Sequence, residues 1–280
     1  MHAGPGGCGW APLWSPHARR PPRGGADDDG QRRRPDHLGR EQSLLDPPVR
    51  ARWETITVPG AFETRHAQID AQVILEGSGS FVVPDAVAPR WPEPTTDHEL
   101  LWEDHLPDVA TRWFVVADGR GRVDWSFTGD SDLKLHVLVC RGTPAGYLQR
   151  LRDLGVGYFV VGDERVEPRA ALARIRRRLG ATRVIADSGG TLNASLLREG
   201  LVDILDIVTL PGLVGGAGTP TMMDGPPLPA GVLPRRLDLI DVQVEGAAVR
   251  TRYRVRTTDG PARSMRTGSP LKARGSVPHA

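Results

Sequence analysis

Short apolar runs rich in valine, isoleucine and leucine recur through the middle of the chain, each bounded by glycine, proline or charged residues. Such runs predict buried β-strands, because β-branched residues pack well in a sheet and turn residues end them. The predicted strands span residues 71–75, 113–116, 136–140, 158–161, 184–186 and 204–210. Two further runs, 237–244 and 249–255, flank Glu245 and Gly246, and we expect them to form an antiparallel hairpin.

Helical patterns lie between several of these strands. Pro144 precedes a helix predicted over 145–154, since proline suits a first turn, where its missing N–H is not needed. From Pro168 onward, apolar residues recur at helical spacing with arginines on the outer face. A third predicted helix follows Gly190 and ends at Gly200. The alternation of strands and helices predicts an α/β fold with a mostly parallel sheet, which the C-terminal hairpin makes mixed.

The two ends of the chain differ in composition from the middle. Residues 1–50 contain eight proline, eight glycine and eight arginine residues, and no apolar periodicity beyond Leu44 and Leu45. A segment of this composition cannot bury enough apolar surface to offset the conformational entropy lost on ordering. We therefore expect a disordered segment at 1–50, a folded domain at 51–256 and a disordered tail at 257–280.

Charge and composition exclude several classes of protein. The net charge is +2, and because the two ends carry +2 and +3, the predicted domain carries −3, which argues against nucleic-acid binding. No apolar run is long enough for a membrane span, and the N-terminus lacks the apolar segment of a secretory signal. We accordingly expect no membrane partner and a cytoplasmic location. Cys8 and Cys140 are too few for a disulfide framework or a four-cysteine zinc site.

The segment from Val184 to Asn193 combines a strand, a glycine turn and a helix start. Asp187 ends the strand, where open α/β sheets place their ligands. Gly189 and Gly190 allow a close backbone approach, and the free N–H groups of the first helical turn favour a phosphate. The same pattern suits a tight turn without a ligand. Neither GxGxxG nor GxxxxGK[ST] is present, so the residues alone leave both interpretations open.

Other candidate residues carry weaker signals. The sequence HELLW from His98 begins like the zinc motif HExxH but ends in Trp102, so we expect no metal site. His136 is expected to be a half-buried strand residue, and Cys140 is expected to pack in the core. The glycine-rich segment 215–220 is interpreted either as a lining of the site or only as a turn.

Four segments carry a family resemblance: YFVVG at 158–162, DSGGTLN at 187–193, LLREGLVD at 196–203 and PGLVGG at 211–216. In this order and spacing they resemble the reductase domain of riboflavin biosynthesis, which has the dihydrofolate-reductase-like fold. The resemblance covers about 51–256 and implies a three-layer fold. It also implies NADPH as hydride donor, a ribosylamino-pyrimidine phosphate as small-molecule substrate, and a homodimer.

The resemblance also implies roles for individual residues. The stretch that holds the cofactor's phosphates corresponds to Gly189, Gly190, Thr191, Leu192 and Asn193. Gly162 matches a glycine beside the cofactor, Ser80 replaces a cofactor-contacting threonine, and Arg122 is placed to attract a 2′-phosphate. Asp187 occupies the place of an acidic residue, usually glutamate, that touches the substrate, and it is the one catalytic residue implied.

The chain departs from the family pattern in three places, one of them at residues 202–205, which lack the acidic residue that usually follows the aspartate. The family begins with a central strand and a Ser-x-Asp-Gly turn, whereas residues 1–50 offer only Asp28, Asp29 and Gly30 without a preceding strand. Residues 77–80 read GSGS where the family has Gly-Arg-x-Thr. The main expectation is an NADPH-dependent reductase of the riboflavin pathway or one acting on a related small substrate. The alternative is a non-catalytic nucleotide-binding member of the same fold that lacks its first strand.

Overall fold

The computed structural model describes residues 37–39, 42–43, 51, 55–56, 61–82, 89–213 and 221–256. A short antiparallel pair, β1 (His37–Gly39) and β2 (Gln42–Ser43), lies within the predicted N-terminal segment. The rest of that segment and the 257–280 tail lie outside the described residues. The predicted domain boundaries therefore stay predictions.

Five of the predicted strands form one parallel sheet. They are β3 (Val73–Gly77), β4 (Arg112–Ala117), β5 (Leu133–Val139), β6 (Gly157–Val160) and β7 (Val184–Ala186). The strands lie in the order β6-β5-β4-β3-β7, and every described pair is parallel. The strand positions expected from the apolar runs are confirmed, with ends that differ by no more than three residues.

Helices cover both faces of this sheet. The described helices are α1 (Ala61–Ile69), α2 (His98–Leu101), α3 (Ala145–Asp153), α4 (Pro168–Leu179) and α5 (Gly190–Arg198). The three helices predicted from the sequence are confirmed as α3, α4 and α5. Helix α4 begins at Pro168 and is followed by Gly180 in the left-handed conformation, as the pattern indicates. No helix in the described part of the chain is both long and apolar enough to cross a membrane.

The alternation of side chains along the strands produces two separate cores. Ile74 and Val116 pack on one face with the α3 residues Tyr147 and Leu148. On the opposite face, Val73, Leu75 and Val115 pack with Ile175 of α4 and Leu196 of α5. Successive side chains point to opposite faces of a strand, so strands buried on both faces read as continuous apolar runs. The three-layer α/β fold is confirmed.

The C-terminal hairpin belongs to a second sheet. Strand β9 (Leu237–Glu245) pairs with β10 (Ala248–Val255), and β10 pairs with β8 (Ile204–Thr209), all antiparallel. The hairpin is confirmed, and Gly246 at its turn has φ +63°. Among the described residues, however, these strands form a sheet of their own rather than the mixed sheet expected. The period of two indicates which side chains are buried, but it does not say which strand is the neighbour.

The two faces of this antiparallel sheet differ sharply. One face is charged and contacts α1: Arg250 bonds Asp206 at 2.6 Å and Gln68 at 3.2 Å, and Arg65 bonds Glu245 at 3.2 Å. The register places a set of apolar residues on the other side, which we call the apolar sheet face. Its members are Leu205, Ile207, Leu237, Leu239, Val242, Val244 and Tyr253. Leu239, Val242 and Val244 are 54%, 45% and 77% exposed, so this face is uncovered in the monomer.

Candidate active site

Parallel strands bring the sequence-predicted residues to one edge of the main sheet. The carboxyl end of β3 leads into Ser78, that of β4 into Asp118, and that of β7 into Asp187. Since β3 lies between β4 and β7, these three positions are on neighbouring strands. Ligands of open α/β sheets bind at this edge. The candidate active site is therefore centred on the carboxyl end of β3.

The N-terminus of α5 faces this edge without a side-chain cap. Gly189 is the N-cap residue, with φ −65° and ψ 161°, and among the described residues no side-chain hydrogen bond caps the helix there. The Cβ position of Gly77 lies 3.8 Å from the Leu192 Cβ, so the end of β3 adjoins the first turn of α5. A Cβ built on either Gly79 or Gly189 would meet nothing within 4 Å. Within the predicted phosphate turn, which includes Thr191, the Gly189 position is therefore open.

Gly190 and Asn193 have structural partners that the sequence did not reveal. A Cβ on Gly190 would collide with the carbonyl oxygen of Thr221 and would lie 2.6 Å from Asp224 Oδ2. The Asp224 N–H also donates to the Gly190 carbonyl oxygen at 3.0 Å. The Asn193 amide donates to the Ser188 carbonyl oxygen at 2.7 Å. These two residues hold the turn and a distant loop together, whatever ligand the turn binds.

Asp187 has a titratable neighbour that the sequence analysis missed. Its side chain is 46% exposed, and its Oδ2 lies 3.4 Å from Nε2 of His66, a residue of α1 that is only 12% exposed. Imidazole and carboxyl groups at this distance can share or pass a proton. The contact between His66 and Asp187 could not be predicted from the sequence, because the two residues are far apart along the chain and α1 has no clear apolar stripe.

Arg122 lies at the same edge, beside the end of β3. Its NH2 group donates to Ser78 Oγ at 3.1 Å, and its Nε is buried without a partner among the described residues. Ser78 is the position where the family pattern has arginine, so the guanidinium of Arg122 reaches that place from the loop after β4. Ser80, at the end of a short 3-10 turn, is half-buried.

Gly162 is not brought together with the glycine turn. It follows β6, which lies four strand positions from β7, a separation of about 19 Å at the usual strand spacing. Its φ of +94° suits a turn in which its carbonyl oxygen accepts from the Arg141 N–H at 3.0 Å. The role of Gly162 beside a cofactor stays a prediction.

The weaker candidates have other surroundings. His98 accepts from Trp102 Nε1 at 3.4 Å, and both line a cavity of about 630 Å³ with Arg141. No group of three or more metal-ligating side chains occurs among the described residues. His136 is fully buried rather than half-buried, because it sits inside β5 and not at its start. Cys140 is fully buried, which confirms core packing. The 215–220 segment lies outside the described residues.

These features define an α/β domain of the dihydrofolate-reductase-like fold with a glycine turn at its carboxyl edge. The chain belongs to the RibD C-terminal domain family, whose model matches residues 50–250. Both the family and the fold expected from the sequence are confirmed.

Curated relatives and a solved structure agree with this placement. A protein of Archaeoglobus fulgidus named 2,5-diamino-6-ribosylamino-4(3H)-pyrimidinone 5′-phosphate reductase is 33% identical over 140 residues, which are 50% of this chain and 62% of the relative. A protein of the same name from Aquifex aeolicus is 33% identical over 89 residues, 32% of this chain and 39% of the relative. The chain thus spans less than two thirds of the length of these relatives. A pyrimidine reductase-like protein of Corynebacterium diphtheriae shares the fold, with a TM-score of 0.52, 15% identity, and coverage of 72% of this chain and 84% of that one.

Proposed function

We propose that this chain is an NADPH-dependent reductase that reduces the ribosyl side chain of a ribosylamino-pyrimidine phosphate or a related small substrate. The observation that carries the proposal is the uncapped α5 N-terminus beside two open glycine positions, in a family whose curated relatives are named as such reductases. The phosphorylated substrate, a cytoplasmic location and the absence of nucleic-acid and membrane partners remain predictions from the sequence.

The residues at this edge fit a phosphorylated dinucleotide. The first turn of α5 offers backbone N–H groups and the positive end of the helix dipole to a pyrophosphate. Arg122 keeps guanidinium donors for a 2′-phosphate, since its side-chain hydrogen bond to Ser78 uses a single NH2 group. Ser80 ends the short turn that follows β3, the strand between β4 and β7.

The protein's part in the reaction is placement and proton supply. When bound, the nicotinamide supplies the hydride that reduces the carbonyl or imine carbon of the opened sugar. That step leaves a nitrogen or oxygen that must take up a proton. Asp187 is exposed enough to meet the substrate there, and His66 at 3.4 Å can replace its proton.

Loss of NADPH absorbance in the presence of the diaminopyrimidine ribosyl phosphate tests the proposal directly. We expect oxidation of NADPH that depends on the substrate, with the ribityl product detected by mass spectrometry. Binding of NADPH without turnover on this substrate or on related ribosyl phosphates would favour the non-catalytic, nucleotide-binding alternative.

One observation favours the non-catalytic alternative. The carboxyl group of Asp224 lies beside Gly190 at the N-terminus of α5, where a negative charge competes with a phosphate for the helix dipole. Its Oδ1 is held by the Thr221 N–H at 3.1 Å and hydroxyl at 2.6 Å. A chain that fails to bind NADPH at all would be explained by this contact and would exclude the reductase.

We predict that Arg122→Gln weakens NADPH binding about tenfold and leaves NADH binding unchanged, because only NADPH carries the 2′-phosphate that a guanidinium holds. Fluorescence titration of both cofactors checks this. Arg120→Gln is the matched control, since Arg120 is exposed on the same loop. Equal losses for both cofactors would place Arg122 away from the 2′-phosphate.

We further propose that the homodimer forms through the apolar sheet face. An exposed apolar patch of this kind commonly marks an interface. Val242→Asp should shift the protein to monomer, with a dissociation constant raised at least about tenfold, because burying an unpaired carboxylate is costly. Sedimentation velocity measures this. Gln243→Glu, on the charged face opposite Arg250, should leave the assembly intact. A wild-type monomer would contradict the proposal.

A further inference from the structure

A buried hydrogen-bond network lies directly beneath the loop that carries Arg122. Asp118 is 1% exposed at the end of β4, and its Oδ2 accepts from the N–H groups of Arg122 at 2.9 Å and Val123 at 3.0 Å. The same oxygen accepts from the hydroxyl of Tyr147 at 2.9 Å. A single oxygen, Asp118 Oδ2, therefore holds the backbone of Arg122 and Val123 in place.

Tyr147 is held in place from several sides. Its ring is fully buried, and its hydroxyl accepts from Trp125 Nε1 at 2.7 Å while donating to Asp118. Burial and the neighbouring Asp118 carboxyl raise the pKa of Tyr147 above its usual value, so its hydroxyl remains a donor. The orientation of this donor is thus set by Trp125 on one side and by Asp118 on the other.

The tip of the loop is clamped against the same tyrosine. Gly121 has φ +60°, and a Cβ there would lie 2.9 Å from the Tyr147 ring, so only glycine permits this approach. Trp91 Nε1 donates to the Gly121 carbonyl oxygen at 2.8 Å, and the Trp91 ring lies 5.1 Å from that of Tyr147. Two aromatic residues from separate parts of the chain, Trp91 and Tyr147, therefore contact one turn.

We propose that Asp118 and Tyr147 are positioning residues that preset the Arg122 guanidinium for the 2′-phosphate of NADPH, an inference that rests on the proposed function. A long arginine side chain loses conformational entropy when it binds a ligand. Because the backbone of Arg122 is fixed and its guanidinium is already bonded to Ser78, less entropy is lost on binding. In the described part of the chain, no hydrogen bond of Asp118 or Tyr147 reaches the glycine turn of α5. Its contribution is therefore confined to the 2′-phosphate.

The test compares Tyr147→Phe with Tyr158→Phe. Both tyrosines are fully buried and both hydroxyls are hydrogen-bonded, but Tyr158 bonds Leu101 and Arg152 at the far edge of the sheet. We expect Tyr147→Phe to weaken NADPH binding about fivefold and to change NADH binding less than about twofold. Tyr158→Phe should lower the melting temperature to a similar extent and leave the NADPH to NADH ratio of affinities unchanged.

The outcomes separate this inference from the function on which it rests. A wild-type chain that binds neither cofactor overturns both. A wild-type chain that prefers NADPH, with the same preference in Tyr147→Phe, overturns the positioning role and leaves the reductase proposal standing. Equal loss of preference in the two variants would also overturn it, since general loosening would then explain the effect. If Tyr147→Phe does not fold, Trp125→Phe removes the bond that orients the hydroxyl and is held to the same criteria.

Discussion

Gly189→Asp is expected to lower NADPH affinity at least about tenfold while it raises the stability of the fold by a few tenths of a kcal/mol. Gly189 is the N-cap of α5 in extended conformation, with open space where a side chain would project. Aspartate is among the best N-cap residues, because its carboxylate accepts from the first free N–H groups of the helix. Those are the groups assigned here to the pyrophosphate.

Opposite changes in stability and binding make this variant informative. Most substitutions that abolish binding also destabilise, so a variant that melts higher and binds less cannot be explained by unfolding. Fluorescence titration and thermal melts of the same preparation provide both measurements. Gly189→Ala is the matched control, since its methyl group neither caps the helix nor carries charge. Unchanged NADPH affinity in a stable Gly189→Asp would exclude the phosphate assignment.

The neighbouring glycine cannot serve this purpose, although the sequence motif points to both equally. Any side chain at Gly190 collides with the loop that carries Thr221 and Asp224. Replacement there would disturb the loop and the turn together, and weaker binding would follow from either cause. Only the surroundings of the two glycines in the structure show that a substitution at Gly189 tests ligand binding and that one at Gly190 does not.

Elements whose evidence is local could be predicted from the sequence. The strands of the main sheet are short apolar runs between turn residues, and α4 has an apolar stripe with Pro168 at its start and Gly180 after its end. The carboxyl-edge position of Asp187 followed from the order of strand and helix alone. Each of these features depends on residues within a few positions of one another.

Features that depend on distant residues could not be predicted. Strand β10 pairs with β8, but a β10 paired with the main sheet would show the same alternation of apolar and polar residues in its sequence. The contact between His66 and Asp187 depends on the tertiary path of the chain, which the periodicity of the sequence does not indicate. No local pattern singles out Asp118, because Tyr147, which donates to it, lies 29 residues away along the chain.

His136 is expected to make the fold acid-sensitive. Its side chain is fully buried in β5, with the Phe159 ring at 4.0 Å and the Trp113 ring at 5.7 Å. Neither imidazole nitrogen has a partner among the described residues. Burial is the main cause that lowers the pKa of His136 to about 3, and the nearby positive groups of His105 and Arg178 contribute to the same shift.

The direction of the pH dependence follows from proton binding in the two states. Between the unfolded pKa near 6.5 and the folded pKa of about 3, the unfolded chain binds a proton that the native protein does not. The stability is therefore complete above pH ~6.5 and falls as the pH decreases toward ~3. The loss is about 1.4 kcal/mol per pH unit, or about 2 kcal/mol between pH ~7 and pH ~5.

His136→Leu replaces the titrating imidazole in the core with an apolar side chain of similar size. Urea denaturation should show that, between pH ~7 and pH ~5, the free energy of unfolding of His136→Leu falls by about 2 kcal/mol less than that of the wild type. Phe159→Leu loosens the packing around the imidazole without removing it, so this control should keep most of the wild-type pH dependence. If His136→Leu instead loses stability with acid as steeply as the wild type, other titrating groups must destabilise the fold. The buried imidazole would then have found a proton partner in the native state.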